Sequence, residues 1–222
     1  MKWGTAIGLV DYGGSNLRSV RKALEICGAT VDLVDRPASF DDSSQWSALV
    51  VPGVGSFGRC VQSLHEKKLW FPVLRWIEMG RPYLGICLGY HLLFESSEES
   101  PETKGFGFLA GHVVSLPKQK VKVPHIGWNE LSIRQPVLFD GVVLPINVYF
   151  IHSYYPVPKD SKIISSECEY GVRFAASITK GQVVATQFHP EKSQSVGLRF
   201  ITNFLHSLQP VLLSSYATSS SN

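Results

Sequence analysis

The stretch Arg81-Pro82-Tyr83-Leu84-Gly85-Ile86-Cys87-Leu88-Gly89-Tyr90-His91-Leu92-Leu93 constrains this chain more than any other. A short apolar run stops at Cys87, and a helix-compatible run of Leu88, Leu92, Leu93 and Phe94 starts at once. Gly-x-Cys-x-Gly is the thiol counterpart of the Gly-x-Ser-x-Gly nucleophile elbow, a strained turn from a strand into a helix. Glycines on both sides relieve crowding at such a turn, so one side chain stands clear of the backbone. The helix N-terminus that follows supplies free N–H groups and positive potential, which favour a thiolate and a developing oxyanion. An isolated cysteine is more often an inert core residue. Here the glycine bracket and the downstream His189-Pro190-Glu191 point instead to a nucleophile.

An elbow of this kind needs a parallel sheet to end on, and the first half of the chain predicts one. Residues 5–10 form a short apolar run followed by Asp11-Tyr12-Gly13-Gly14-Ser15, a strand and then a loop. Asn16 can cap a helix in which Leu17, Val20, Leu24 and Cys27 keep helical spacing, with Gly28 as its stop. Residues 31–34 and 48–51 read as strands, and Pro52-Gly53-Val54-Gly55-Ser56-Phe57-Gly58 as a glycine-rich turn. Helical sequence over 60–79, broken near Lys67-Lys68, leads to the strand that ends at Cys87. Strands alternating with helices imply a parallel sheet with ligands at the carboxyl ends of its strands. Cys87 and the turn at 53–58 both fall on that edge.

The second half has another texture. Between residues 106 and 186, short β-type runs at 112–116, 148–151, 163–166 and 182–186 are separated by Pro, Gly and Asn. They predict an antiparallel or mixed extension of the sheet. An amphipathic helix follows over 193–208, with Val196, Phe200, Phe204 and Leu208 on one face. The expected organisation is one domain over 1–209 and a disordered tail over 210–222.

Composition closes off several function classes. With 222 residues, 44% hydrophobic and 18% charged, the chain can build one full core, and a net charge of +3 is too mild to argue for nucleic acid. Lys118-Gln119-Lys120-Val121-Lys122 reads as a solvated face. Cys27, Cys60, Cys87 and Cys168 lack Cys-x-x-Cys spacing, which argues against a zinc site or a disulfide framework and for a reducing compartment. No apolar run approaches the ~18 residues of a membrane span. Residues 5–10 are too short and too weakly preceded by positive charge for a signal peptide. No phosphate-binding glycine motif stands at a strand-to-helix junction. The expectation is a cytoplasmic protein using neither a metal nor an organic cofactor.

A thiol attacks a carbonyl effectively only as a thiolate, so it needs a base and a group that orients the base. Among seven histidines, His189 follows a predicted strand, and Pro190 ends that strand immediately. Glu191 can reach the far imidazole nitrogen and fix its tautomer, which gives Cys87-His189-Glu191 as a candidate triad. Gly53, Val54 and Gly55 can present backbone N–H groups without obstruction. With the N–H of Leu88 they form a candidate oxyanion hole, worth about 3 kcal/mol per donor. These residues specify thiol acyl-transfer chemistry and leave the substrate open.

Over about residues 7–205 the chain also resembles the class I (triad) glutamine amidotransferases, and among them the glutaminase subunits of imidazole glycerol phosphate synthase. Its motifs include Asp11-Tyr12-Gly13-Gly14-Ser15-Asn16, Pro52-Gly53-Val54-Gly55-Ser56-Phe57, Pro124-His125-Ile126-Gly127-Trp128-Asn129, Tyr149-Phe150-Ile151-His152-Ser153-Tyr154-Tyr155 and Phe188-His189-Pro190-Glu191-Lys192-Ser193. The resemblance implies a flavodoxin-like three-layer α/β fold with a mostly parallel central sheet. It implies that Cys87 attacks the side-chain amide of glutamine, and that the ammonia passes to a partner cyclase, a (β/α)8 barrel, in a heterodimer. The product there would be imidazole glycerol phosphate, together with aminoimidazole carboxamide ribotide. It would set His152, Ser153 and Tyr154 against the glutamine backbone. Asn16, His125, Trp128, Asn129 and Lys192 would lie at or near the cyclase interface.

One departure touches the site. The family usually continues the elbow as Gly-Met-Gln, whereas this chain has Gly89-Tyr90-His91, so His91 stands where a glutamine normally helps hold the substrate's amino-acid end. A neutral imidazole still offers one donor and one acceptor. The swap fits weaker glutamine binding, a paralogous subunit serving another amidation pathway such as modified-sugar synthesis, or a non-catalytic partner-binding subunit. A stand-alone cysteine hydrolase on the same fold is a further reading.

Overall fold

The computed structural model describes residues 5–13, 16–41 and 45–208. The predicted tail at 210–222 lies outside the described residues, as do Gly14 and Ser15 of the first loop.

The apolar runs of the first half are central strands. β1 (Ala6–Val10) pairs in parallel with β2 (Thr30–Val34) on one side and β3 (Ala48–Gly53) on the other, and β3 pairs in parallel with β4 (Tyr83–Cys87). β3 and β4 are buried along their whole length, as expected of parallel strands covered on both faces. Helices provide those covers. α1 (Leu17–Ile26) turns Val20, Ala23 and Leu24 onto one face, where α5 (Gln194–Ser207) adds Phe200, Ile201, Phe204 and Leu205 over Ile7, Leu9, Leu84 and Ile86. On the other face, α2 (Phe57–Glu66) and α3 (Trp70–Glu78) bring Phe57, Leu64, Val73 and Trp76 against Val10, Leu49, Val51 and Tyr83. Each such fully buried side chain contributes roughly 1.5–3 kcal/mol of transfer free energy.

Local signals at the helix ends are partly met. The predicted break at Lys67-Lys68 separates α2 from α3, with Lys68 in the left-handed region at φ 58°. Asn16 occupies the N-cap position of α1, but its side chain makes no capping hydrogen bond. The helix opens instead on the backbone bond from Val20 N–H to the Asn16 carbonyl, 3.3 Å.

Beyond β4 the main sheet continues through β12 (Val183–Thr186), parallel to β4, and then turns antiparallel. β11 (Arg173–Lys180), β10 (Ile164–Glu169), β7 (His125–Ile133) and β8 (Asn147–His152) complete nine strands in the order β2-β1-β3-β4-β12-β11-β10-β7-β8. A smaller sheet joins β5 (Phe94–Ser97), β6 (Leu109–Ser115) and β9 (Tyr154–Pro158) in the order β5-β6-β9. The parallel core and its antiparallel extension are the architecture the sequence predicts. β5, β7, β9 and β11 are not among its predicted strands. Phe94 is also expected in the helix after Cys87; it begins β5, and that helix, α4, is the single turn Leu88–His91.

Candidate active site

Cys87 is the last residue of β4 and the N-cap of α4, with φ 54° and ψ −104°. A non-glycine residue there carries backbone strain, of order 1–3 kcal/mol, that the surrounding structure must hold in place. Part of the hold is the close approach of α4 to β3. A Cβ added to Gly89 would run into the Val51 carbonyl oxygen. The Tyr83 hydroxyl donates to the Gly89 carbonyl at 2.7 Å and pins the turn from below. Cys87 remains 7% exposed and lines a cavity of about 210 Å³.

His189 leaves the end of β12, where its N–H donates to the Tyr149 carbonyl at 2.9 Å and its own carbonyl accepts from the Ser193 hydroxyl at 2.7 Å. Its backbone is therefore fixed from two sides. Nδ1 lies 2.8 Å from Glu191 Oε1, with both side chains almost wholly buried. A carboxylate accepts only, so the proton sits on Nδ1. Nε2 has no hydrogen-bond partner among the described residues. Burial alone would depress the imidazole's pKa. The nearby Cys87 and the bonded Glu191 carboxylate outweigh that and raise it to about 10. The site thus favours an imidazolium next to the thiol, the state in which a thiolate is stabilised.

The same cavity is lined by Val54, Gly55, Leu88, His91, His152, Ser153 and Tyr154, so most of the predicted oxyanion and glutamine-binding residues come together with Cys87 and His189. Gly53 ends β3 just behind it and is buried. Gly55 has φ 96°, a conformation a side chain would strain, and Val54 is 39% exposed. His152 donates from Nδ1 to the Tyr154 carbonyl at 2.9 Å and so accepts at Nε2 from His125 Nδ1, 3.0 Å away. Burial, reinforced by neighbouring histidines, lowers its pKa to about 3. Burial likewise lowers His91 to about 4, against the opposing pull of a hydrogen bond to Gln187.

The predicted interface residues differ in exposure. Trp128 is 47% exposed, and Lys192 Nζ lies 5.7 Å from the centre of the Tyr149 ring. Asn16 is partly exposed, and Asn129 spends its amide on the Glu169 carbonyl at 3.3 Å and the Glu130 N–H at 3.0 Å. His125 is buried. It points into the protein, stacked on Tyr170 and Phe150 with ring centres 3.9 and 4.8 Å away, because alternation along β7 sends Ile126 and Trp128 outward and residue 125 inward. Its pKa is lowered to about 4 by burial.

Sequence reasoning missed three features. Glu99 lines the cavity and, among the described residues, is the sole acidic one that does. Gln187 contacts the thiol, with Nε2 donating to Cys87 Sγ at 3.7 Å. Ile126 and Ile151 face each other across β7 and β8, both exposed. Ile126 and Ile151 lie inside quoted motifs, and Gln187 beside one, without standing out there; only exposure and contact distinguish them. A larger open groove of about 800 Å³ between α3 and the turn at Pro37–Phe40 carries no cysteine or histidine among the described residues. Among the described residues no group of three or more His, Cys, Asp or Glu is placed to hold a metal ion.

The family description "Glutamine amidotransferase class-I" matches residues 8–208. The chain belongs to the class-I glutamine amidotransferases. Within this family, it is 44% identical over 203 residues to the imidazole glycerol phosphate synthase subunit HisH of Syntrophotalea carbinolica, covering 88% of this chain and 97% of that protein. The subunit of the same name from Aquifex aeolicus is 46% identical over 197 residues, covering 88% and 94%. Among solved structures, PurLQS from Thermotoga maritima matches with a TM-score of 0.71 at 21% identity, over 93% of this chain and 100% of that one. A glutamine amidotransferase, also from Thermotoga maritima, matches with a TM-score of 0.58 at 16% identity, over 92% and 84%. At those identities the shared property is the fold.

Proposed function

We propose that this amidotransferase is the glutaminase subunit of an imidazole glycerol phosphate synthase, acting through Cys87, His189 and Glu191 and feeding ammonia to a cyclase of (β/α)8 form. The observation that carries the reading is the buried His189–Glu191 pair at 2.8 Å, its imidazole on the wall of the cavity that the strained Cys87 elbow also lines. The high identity to subunits of that synthase supports the choice of pathway.

The steps follow from the residues. The thiolate of Cys87 adds to the side-chain amide carbon of glutamine, and the oxygen gains negative charge. Backbone N–H groups of Leu88 and of the Gly53-Val54-Gly55 turn are the candidate donors to it. The protonated Nε2 of His189 gives its proton to the departing nitrogen, so ammonia leaves and a glutamyl thioester remains. Now neutral, His189 takes a proton from water, whose oxygen attacks the thioester carbonyl. Glutamate departs and the thiol is restored. Glu191 keeps the imidazole in the required tautomer throughout. At the cavity wall the Glu99 carboxylate is the natural match for the substrate's α-ammonium, while Ser153, Tyr154 and His152 offer polar contacts to its other end.

Exposed apolar residues beside the cavity support a partner surface. Ile126 pairs with Ile151, and Trp128 packs on Tyr149 with ring centres 5.9 Å apart, next to Lys192. Ile151 also lines the cavity, so the patch and the site are continuous. A barrel docked there would receive ammonia without its release to solvent, where it would be protonated. The free cysteines suit a reducing, cytoplasmic setting.

The test is glutamine hydrolysis by the full chain, alone and with the cyclase of the same genome and an analogue of the cyclase substrate. Strong stimulation by the loaded cyclase is the expected result. High turnover by the chain alone would make it a free-standing hydrolase. No turnover under any condition would make it a non-catalytic subunit.

A further inference from the structure

Gln187 takes no part in the steps above, yet its side-chain amide lies within hydrogen-bonding distance of the nucleophile. It follows β12 directly, is wholly buried, and has its backbone N–H bonded to the Ala176 carbonyl at 2.8 Å. Its side-chain amide lies between two groups. Nε2 is 3.7 Å from Cys87 Sγ, and Oε1 is 2.8 Å from His91 Nε2.

The chemistry of an amide decides how this chain of contacts is protonated. A carbonyl oxygen only accepts, so His91 must carry its proton on Nε2. Its other nitrogen, Nδ1, is then bare, and it has no hydrogen-bond partner among the described residues. A reversed amide would turn its oxygen toward the sulfur, where an ionised thiol offers no proton. The orientation with N–H toward sulfur is the one that a thiolate rewards, and the Nε2–H tautomer of His91 complements it. His91 is 3% exposed and kept neutral by burial, which leaves that single donor committed.

We infer that Gln187 stabilises the Cys87 thiolate through an N–H···S hydrogen bond, and that His91 is the positioning residue that fixes the amide in that orientation. The inference rests on the reading of Cys87 as the nucleophile. It also assigns His91 a role the sequence did not suggest. Its one donor faces Gln187 rather than substrate, leaving only Nδ1 for a ligand.

The experiment is alkylation of the full-length chain by iodoacetamide across pH, with labelling of Cys87 separated from Cys27, Cys60 and Cys168 by peptide mass mapping. The groups whose charge couples to Cys87, namely His189, Tyr12 and Cys60, are unaltered in every variant. In Gln187→Met, which keeps the side chain's size and loses the donor, the pH of half-maximal labelling should rise by about one unit. Gln187→Glu, which sets a carboxylate beside the sulfur, should move it at least as far and carries the test if the methionine variant does not fold. His91→Phe should shift it in the same direction, and His91→Gln, which restores an N–H donor, should return it toward wild type. A wild-type profile in both Gln187 variants would overturn the inference. A wild-type profile in His91→Phe alone would overturn the part assigned to His91. Labelling needs no glutamine, so a chain that shifts as expected but never hydrolyses glutamine would refute the glutaminase reading and leave this contact standing.

Discussion

Replacing Glu191 with glutamine keeps the shape of the buried partner of His189 and removes its charge. Both side chains are almost inaccessible, 2% for His189 and 1% for Glu191, so solvent screens their 2.8 Å contact little. A hydrogen bond to a charged partner contributes about 1.5–3 kcal/mol. At about 1.4 kcal/mol per decade, its loss lowers the imidazolium's advantage by a factor of roughly 10 to 150. A glutamine can also present its NH2 group to Nδ1, which forces the proton to Nε2 in the neutral ring and leaves the ring unable to accept from the thiol. In a comparable triad that tautomer error costs about 10⁴-fold. The variant, paired with its cyclase, should therefore lose on the order of 10²- to 10⁴-fold in kcat. Its KM for glutamine should move little, because Glu191 does not line the cavity. An NMR titration of His189 should show its pKa falling from about 10 toward the ordinary histidine range. Wild-type kcat together with an unchanged titration would refute the assignment of Glu191.

Three further outcomes are expected. The buried histidines make the fold acid-sensitive: His91 and His152, lowered to about 4 and about 3, resist protonation that the unfolded chain accepts below about pH 6.5. Urea unfolding should therefore show stability lost as pH falls from about 6.5 toward 4, by about 3 kcal/mol from His91 alone, and a flat profile would contradict this. His189 acts in the opposite sense, its contribution being complete below about pH 6.5 and lost as pH rises toward 10. Gly89→Ala forces α4 away from the Val51 carbonyl, since carbon and oxygen need about 3.5 Å. The misplaced thiol should lose on the order of 10²-fold in kcat, and a fully active variant would show that the elbow tolerates the shift. Trp128→Ala should change the unfolding free energy of the isolated chain by less than about 0.5–1 kcal/mol, because nearly half of the side chain is exposed. It should weaken cyclase binding by about tenfold or more in calorimetry, and unchanged affinity would remove Trp128 from the interface.

The parallel half of the fold was readable because each of its strands is a short apolar run closed by turn residues, and because glycine and lysine mark the helix ends where the chain reverses. The antiparallel half hid its strands for physical reasons. β7 alternates buried and exposed positions and carries His125, Gly127, Asn129 and Glu130, so it looks like a motif in a loop rather than a strand. β11 contains Ala-Ala-Ser at its centre, residues of weak strand preference that tertiary packing overrides. At the site, the residues tied to a glycine bracket or to a His-Pro-Glu turn could be picked out in advance. Gln187 could not, since it reads as one more residue of a buried strand until its amide is seen against sulfur. The burial of His125 was hidden for the converse reason: the period of β7 that decides inside from outside was not visible without the strand.

The most direct measurement is mass analysis of the chain, quenched during turnover with glutamine in the presence of the loaded cyclase. A glutamyl adduct confined to the peptide bearing Cys87 and absent from the Cys87→Ala protein is the expected result. An adduct on another cysteine, or glutamine hydrolysis that persists in Cys87→Ala, would contradict it.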